Sequence, residues 1–153
     1  NLCQRVFSFI KNNCKGKVKK EKGTSKSDQK LIKETNELMK NLRNEMNNQN
    51  LNNYIKSVIK ISFLTNKYIN DEEPWKHKKT DAALMNNILY LSLEQIAKIS
   101  ILLNPLIPKA TSKVLEALNI KKNSINHEFL DGKNIFEDEI KVKELNILFK
   151  KST

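Results

Sequence analysis

Residues 82–103 constrain the fold more than any other part of the chain. Leu84, Ile88, Leu89, Leu91, Leu93, Ile96, Ile99, Leu102 and Leu103 place apolar side chains nearly all round a helix. A surface helix keeps one polar face, whereas a helix apolar on most sides has to be enclosed by others. The segment therefore predicts the central helix of a bundle. Thr80 or Asp81 can cap its start, and Asn104-Pro105 stops it.

The flanking segments supply the enclosing helices. Residues 1–14 space Leu2, Val6, Phe9 and Ile10 at helical intervals, with Asn1, Arg5, Ser8 and Asn12 on the opposite stripe. The chain begins inside this pattern without a Met or a cap, as a piece cut from a longer protein would. A second helix is predicted from a Ser27 cap to about residue 47, with Asp28 in its first turn and Leu31, Leu38 and Leu42 inward. A third runs from about Leu51 to Ile69, with Leu51, Ile55, Val58, Ile61, Thr65 and Tyr68 on its inner side. Pro74 disfavours helix at Glu73, so Trp75 falls on or just after a break. A short fifth helix covers 109–118. With only three Gly and three Pro in 153 residues, hairpin-rich folds lack material for their turns. The reading is an all-α bundle of about five helices over residues 1–120, followed by an irregular tail, 121–153, without a core of its own. Residues 15–27 hold six lysines and two glycines and read as a flexible basic loop. Residues 140–149 fit a strand or a short helix.

Charge is distributed unevenly. The formal net charge is +11, from 28 basic and 17 acidic residues. Residues 1–80 hold 18 basic and 8 acidic groups, against 10 and 9 in the remainder. The 26 Lys, 21 Asn and 16 Ile, beside 2 Arg, match the residue bias of an A- and T-rich genome, so drift accounts for part of the total. Drift alone would not load one half. The asymmetry points to a polyanion, most simply nucleic acid. No helix joins a wide aromatic face to a continuous basic one, which disfavours a membrane surface, and no apolar run reaches the ~20 residues that span a bilayer.

Catalytic and metal chemistry are missing from the pattern. There is no Gly-rich phosphate loop, no His-Glu-x-x-His and no carboxylate pair in apolar surroundings. Cys3 and Cys14 share one helical segment, about 16 Å apart along it, beyond disulfide reach. They read as free thiols in a reducing, cytoplasmic setting. With the distant His77 and His127 they make no zinc site by spacing.

Trp75 is the single tryptophan, and a lone Trp in a helical protein is usually a core anchor. Its neighbours argue otherwise. Three acids precede Pro74, and Lys76, His77, Lys78 and Lys79 follow. A half-exposed indole among cations suits single-stranded RNA: a base stacks on the ring and lysines meet phosphates. Asn1 and Arg5, four apart, share a helix face and have the donors and acceptors that read a base edge.

At these residues the sequence resembles the anticodon-binding domain of methionyl-tRNA synthetase, a class I aminoacyl-tRNA synthetase. The matching features are Asn1-Leu2 with Arg5, Asn66-Lys67-Tyr68, Pro74-Trp75, Leu102-Leu103-Asn104-Pro105-Leu106-Ile107-Pro108 and Ala117-Leu118. The resemblance implies binding of the CAU anticodon of methionine tRNAs. Trp75 would stack on the first anticodon base, with Asn1 and Arg5 at its polar edge and Pro74 beside it. Lys76, Lys78 and Lys79 would contact phosphates. It also implies a parent methionine–tRNA ligase that uses ATP and methionine through a methionyl-adenylate. The parent's catalytic domain would be this domain's partner, and this piece alone should be inactive, with no cofactor of its own. The closing Leu148-Phe149 matches the first half of the family's Leu-Phe-Pro-Arg ending, a tail that folds back toward the catalytic domain. Two other classes stay open on the residues alone: a helical interaction domain without RNA, and a non-specific basic RNA binder.

Overall fold

The computed structural model describes residues 2–21, 23–121 and 125–145. Six α-helices occur among them: α1 (Leu2–Asn13), α2 (Lys26–Met39), α3 (Leu42–Asn47), α4 (Leu51–Glu72), α5 (Ala82–Leu103) and α6 (Pro108–Ala117). Five have ten residues or more, and α3 has six. The all-α bundle of about five helices is therefore the architecture found. Two short strands, β1 (Lys17–Lys19) and β2 (Glu139–Lys141), pair antiparallel.

Helix α5 is the axis, and Asp81 is its cap, accepting from the Leu84 N–H at 3.0 Å. Its first half, from Met85 to Ala97, packs with Val6, Phe7 and Ile10 of α1, Tyr68 and Ile69 of α4 and Val114 of α6. Its last turns, Ile101 and Leu102, enter a second cluster with Met39, Leu42, Tyr54, Val58, Ile61, Phe129 and Leu130. Each fully buried Leu, Ile or Phe contributes about 1.5–3 kcal/mol, so one helix ties both halves of the core together. The polar residues of α5 are used as well. The Gln95 amide donates to Thr35 at 2.8 Å and Thr65 at 3.3 Å, linking α5 to α2 and α4.

Several local expectations change. The cap of α2 is Ser25, not Ser27. The Asp28 N–H donates to Ser25 Oγ and the Ser25 N–H donates back to Asp28 Oδ2, both at 3.1 Å. Only Ser25 stands three residues before an acid, as this reciprocal cap requires. The predicted second helix is two, because the chain turns at Lys40–Asn41 between α2 and α3. On α4 Tyr54 faces inward in place of Leu51, which is 52% exposed. The Tyr54 hydroxyl finds the Leu102 carbonyl at 2.6 Å, so its polar tip is satisfied inside.

The segment read as a flexible basic loop, 15–27, contains β1. Lys17 pairs with Lys141, Val18 with Ile140 and Lys19 with Glu139. Val18 and Ile140 are buried, and the residues either side point out. Beyond the pairing, the Val142 N–H donates to the Gly16 carbonyl at 2.8 Å. Gly16 lies at φ +72°, and a Cβ there would meet the Val142 oxygen at 3.1 Å. The tail joins the bundle's core through Phe129, Leu130 and Ile140. The buried Glu94 carboxylate accepts from the Ile135 and Phe136 N–H groups at 3.0 and 2.8 Å, and the Tyr90 hydroxyl donates to the Phe136 carbonyl at 2.9 Å. The strand alternative for 140–149 holds at 139–141; positions 146–149 lie outside the described residues.

Candidate nucleic-acid interface

The site is built where α4 ends. Glu73 leaves the helix in a left-handed conformation, φ +46°, and Pro74 opens a single 3-10 turn, Pro74–His77. A left-handed non-Gly residue costs about 1–2 kcal/mol. The turn is held by Asp81 N–H to the His77 carbonyl at 2.8 Å and by its packing on α5. Pro74 is buried, whereas Trp75 is half-buried and packs on the first core cluster from its edge.

Helix α1 supplies the other wall. The Arg5 guanidinium lies over the Trp75 ring, 5.0 Å from its centroid. Phe9 meets the same indole edge to face, with centroids 6.5 Å apart at 71°. One helix turn further, Asn13 Oδ1 accepts from Lys78 Nζ at 2.7 Å. Arg5, Phe9 and Asn13 are spaced i, i+4, i+8 and so form one stripe. The fold thus brings together Arg5 and Trp75, 70 residues apart in the chain, which spacing alone does not give. Asn1 lies outside the described residues.

Trp75 is neither fully buried nor fully exposed. One part anchors against the core, and the ring also carries a cation from α1. Such a cation–π contact is worth about 0.5–1 kcal/mol when exposed. The basic residues after it differ among themselves. Lys76 bridges Glu73 at 2.7 Å, so a carboxylate already offsets its charge. Lys78 is tied to Asn13, and Lys79 is exposed. Phe9 and Asn13 belong to the site although the sequence reading put Phe9 with the core stripe and Asn12 with the polar one. The i, i+4 steps from Arg5 are the signal that finds them.

Cys14 borders this wall. Burial raises its thiol pKa above the ordinary value, and the Lys78 ammonium partly offsets the rise. Burial raises Cys3 similarly. Neither fits a reactive nucleophile. Among the described residues no group of three His, Cys, Asp or Glu is placed to hold a metal ion, and no helix is long and apolar enough to cross a membrane. The arrangement offers an aromatic face, a guanidinium and a lysine–asparagine pair. Groups of these kinds are suited to a stacked base and a phosphate backbone.

The family described as the anticodon binding domain of methionyl tRNA ligase matches residues 18–153. The methionine–tRNA ligase of Brucella suis is 31% identical over 120 residues, covering 78% of this chain and 23% of its own length. That of Sulfurisphaera tokodaii is 28% identical over 153 residues, covering 99% of this chain and 27% of its own. The chain thus spans about a quarter of the length of these relatives. The crystal structure of apo methionyl-tRNA synthetase from Mycobacterium tuberculosis superposes on 100% of the chain and 31% of its own, with a TM-score of 0.88 at 20% identity. At that identity the likeness concerns the fold.

Proposed function

Because the chain belongs to the family of methionyl tRNA ligase anticodon-binding domains, we propose that it reads the CAU anticodon of methionine tRNAs. Trp75 takes the first anticodon base, a cytosine, on its ring. Arg5 and Asn1 face the polar edge of that base, and Pro74 fixes the height of the indole. Lys78 and Lys79 meet the flanking phosphates. Lys76 contributes less, since Glu73 neutralises it.

The observation that carries this reading is Arg5 over the half-buried Trp75 ring. Both groups are needed at one base, and they arrive from separate segments. A base stacked on an aromatic ring contributes about 1–3 kcal/mol. That exceeds the about 0.5–1 kcal/mol of the Arg5 contact, so the guanidinium can be displaced to the base edge with a net gain. The hydrogen-bonding edge of cytosine offers acceptors to Arg5, whereas uracil presents a different set.

In this reading the domain acts within a methionine–tRNA ligase of the cytoplasm. ATP and methionine react in the parts of such enzymes that this chain does not match, and the catalytic domain there is its partner. The domain itself holds no cofactor; it selects the tRNA.

The test is a titration of Trp75 fluorescence with a CAU anticodon stem-loop and a UAU control. Quenching by CAU and much less by UAU is expected. Equal quenching by both would make the chain a general RNA binder. No change with either, together with poor acrylamide access in the free protein, would return Trp75 to the core alone.

A further inference from the structure

The two-stranded ribbon carries a feature that codon bias does not explain. In β1 and β2 the middle residues are buried and the outer ones face water. Lys17 stands directly opposite Lys141 across the ladder. Like charges directly opposed destabilise a strand pair. The buried Val18–Ile140 pair and the backbone bonds at either end of the ribbon have to offset that cost.

One counter-charge, Glu139, stands on this face, which therefore keeps an excess of lysines. Lys11, Lys67, Lys76, Lys133 and Arg43 each bridge a carboxylate. None of Lys15, Lys17, Lys19 and Lys141 makes an ion pair with a described residue, although Glu139 faces Lys19 in the ladder. Other solitary lysines are scattered along α2 and α4. In the ribbon the fold brings unpaired lysines together from positions 124 residues apart.

The ribbon is anchored to the base-stacking wall. The Gly16 N–H donates to the Ile10 carbonyl and the Lys17 N–H to Cys14, so β1 starts from the last turn of α1. Arg5 and Asn13 on that helix are about 12 Å apart, and they contact Trp75 and Lys78 respectively. β1 packs on α5, as does the turn that carries Trp75.

We propose that the outer face of the ribbon, Lys17, Lys19 and Lys141, is a phosphate-binding face for the backbone of the RNA whose base stacks on Trp75. The proposal rests on the anticodon reading for the identity of that RNA. It explains why two lysines are held together at a cost: a phosphate between them turns their repulsion into attraction to a shared anion. Phosphate contacts position the RNA and carry no base information, so this face adds affinity and leaves discrimination to Trp75 and Arg5.

The test compares the whole chain with a Lys17→Gln/Lys141→Gln variant and a Lys56→Gln/Lys60→Gln control of equal net charge. Binding of fluorescein-labelled CAU and UAU stem-loops is read by anisotropy between 50 and 200 mM NaCl, independently of Trp75. Relief of the opposed charges should leave the melting temperature of the ribbon variant equal or higher. Each lost phosphate contact lowers the slope of log affinity against log salt by about 0.7–0.9. The ribbon variant should lose about 1.4–1.8 in slope, with a deficit that widens roughly tenfold from 200 to 50 mM, at an unchanged CAU to UAU ratio. A slope equal to that of the control variant overturns the proposal. A lowered slope without any CAU preference in the unmodified chain keeps the ribbon as an RNA contact and removes the anticodon reading.

Discussion

Truncating Trp75 to alanine removes two contributions at once, and they can be measured apart. The first is packing. A fully buried Trp→Ala change costs about 3–5 kcal/mol. Trp75 is half-buried against the first core cluster, so about 2 kcal/mol is expected, plus about 0.5–1 from the Arg5 contact. For a chain of this length that lowers Tm by about 4–12 °C. The second contribution is the base stack, about 1–3 kcal/mol, or roughly 5–150-fold in Kd for the CAU stem-loop. A protein with about 5–15 kcal/mol of stability remains folded after the first loss, so the binding loss can be read on native protein at 25 °C. Circular dichroism melting gives one quantity and anisotropy of a labelled stem-loop gives the other. Trp75→Phe keeps a flat ring and should recover most of both. A lowered Tm with an unchanged Kd would refute the reasoning, because the indole would then be a packing residue that RNA never touches.

Three further outcomes are expected. Glu94→Gln removes the charge that accepts from two tail N–H groups and faces Lys98, whose pKa burial lowers. Charge-assisted bonds are worth about 1.5–3 kcal/mol each, so with one neutral acceptor left the loss in urea unfolding should be about 2–4 kcal/mol; a change below about 0.5 would show that the tail is held by packing alone. Gly16→Ala forces a side chain into a left-handed position against the Val142 oxygen and should cost about 1–2 kcal/mol, seen as faster amide exchange at Val142. Alkylation of Cys14 by iodoacetamide at pH 8 should be slower than for free cysteine, since a raised pKa leaves less thiolate. Lys78→Gln should slow it further, and an unchanged rate would mean that Lys78 does not act on the thiol.

The legible parts of the fold were those written in continuous runs of sequence. Leu84 to Leu103 is apolar on nearly every side, and no tertiary partner could make that a surface helix. Pro74 and Asn104-Pro105 marked real ends for the same local reason. The ribbon was not legible. Lys-Val-Lys and Glu-Ile-Lys each hold one apolar residue, and what makes them strands is a partner at the far end of the chain. The turn at Lys40–Asn41 has neither Gly nor Pro to announce it. In the candidate site, Trp75 stood out by its charged neighbours. Phe9 and Asn13 did not, because a helix stripe gains meaning only once Arg5 is known to lie over a ring 70 residues away.

The pairing of Lys17 with Lys141 also sets an order of events during synthesis. Closing a loop of that length costs entropy that grows with its logarithm, and nothing local offsets it. Helices α1 to α4 can form as the chain leaves the ribosome, since the hydrogen bonds within a helix are local. The lysine face cannot exist until β2 has emerged. A nascent chain will therefore display the indole before it displays the paired cations. Any affinity that depends on both is withheld until β2 has been made.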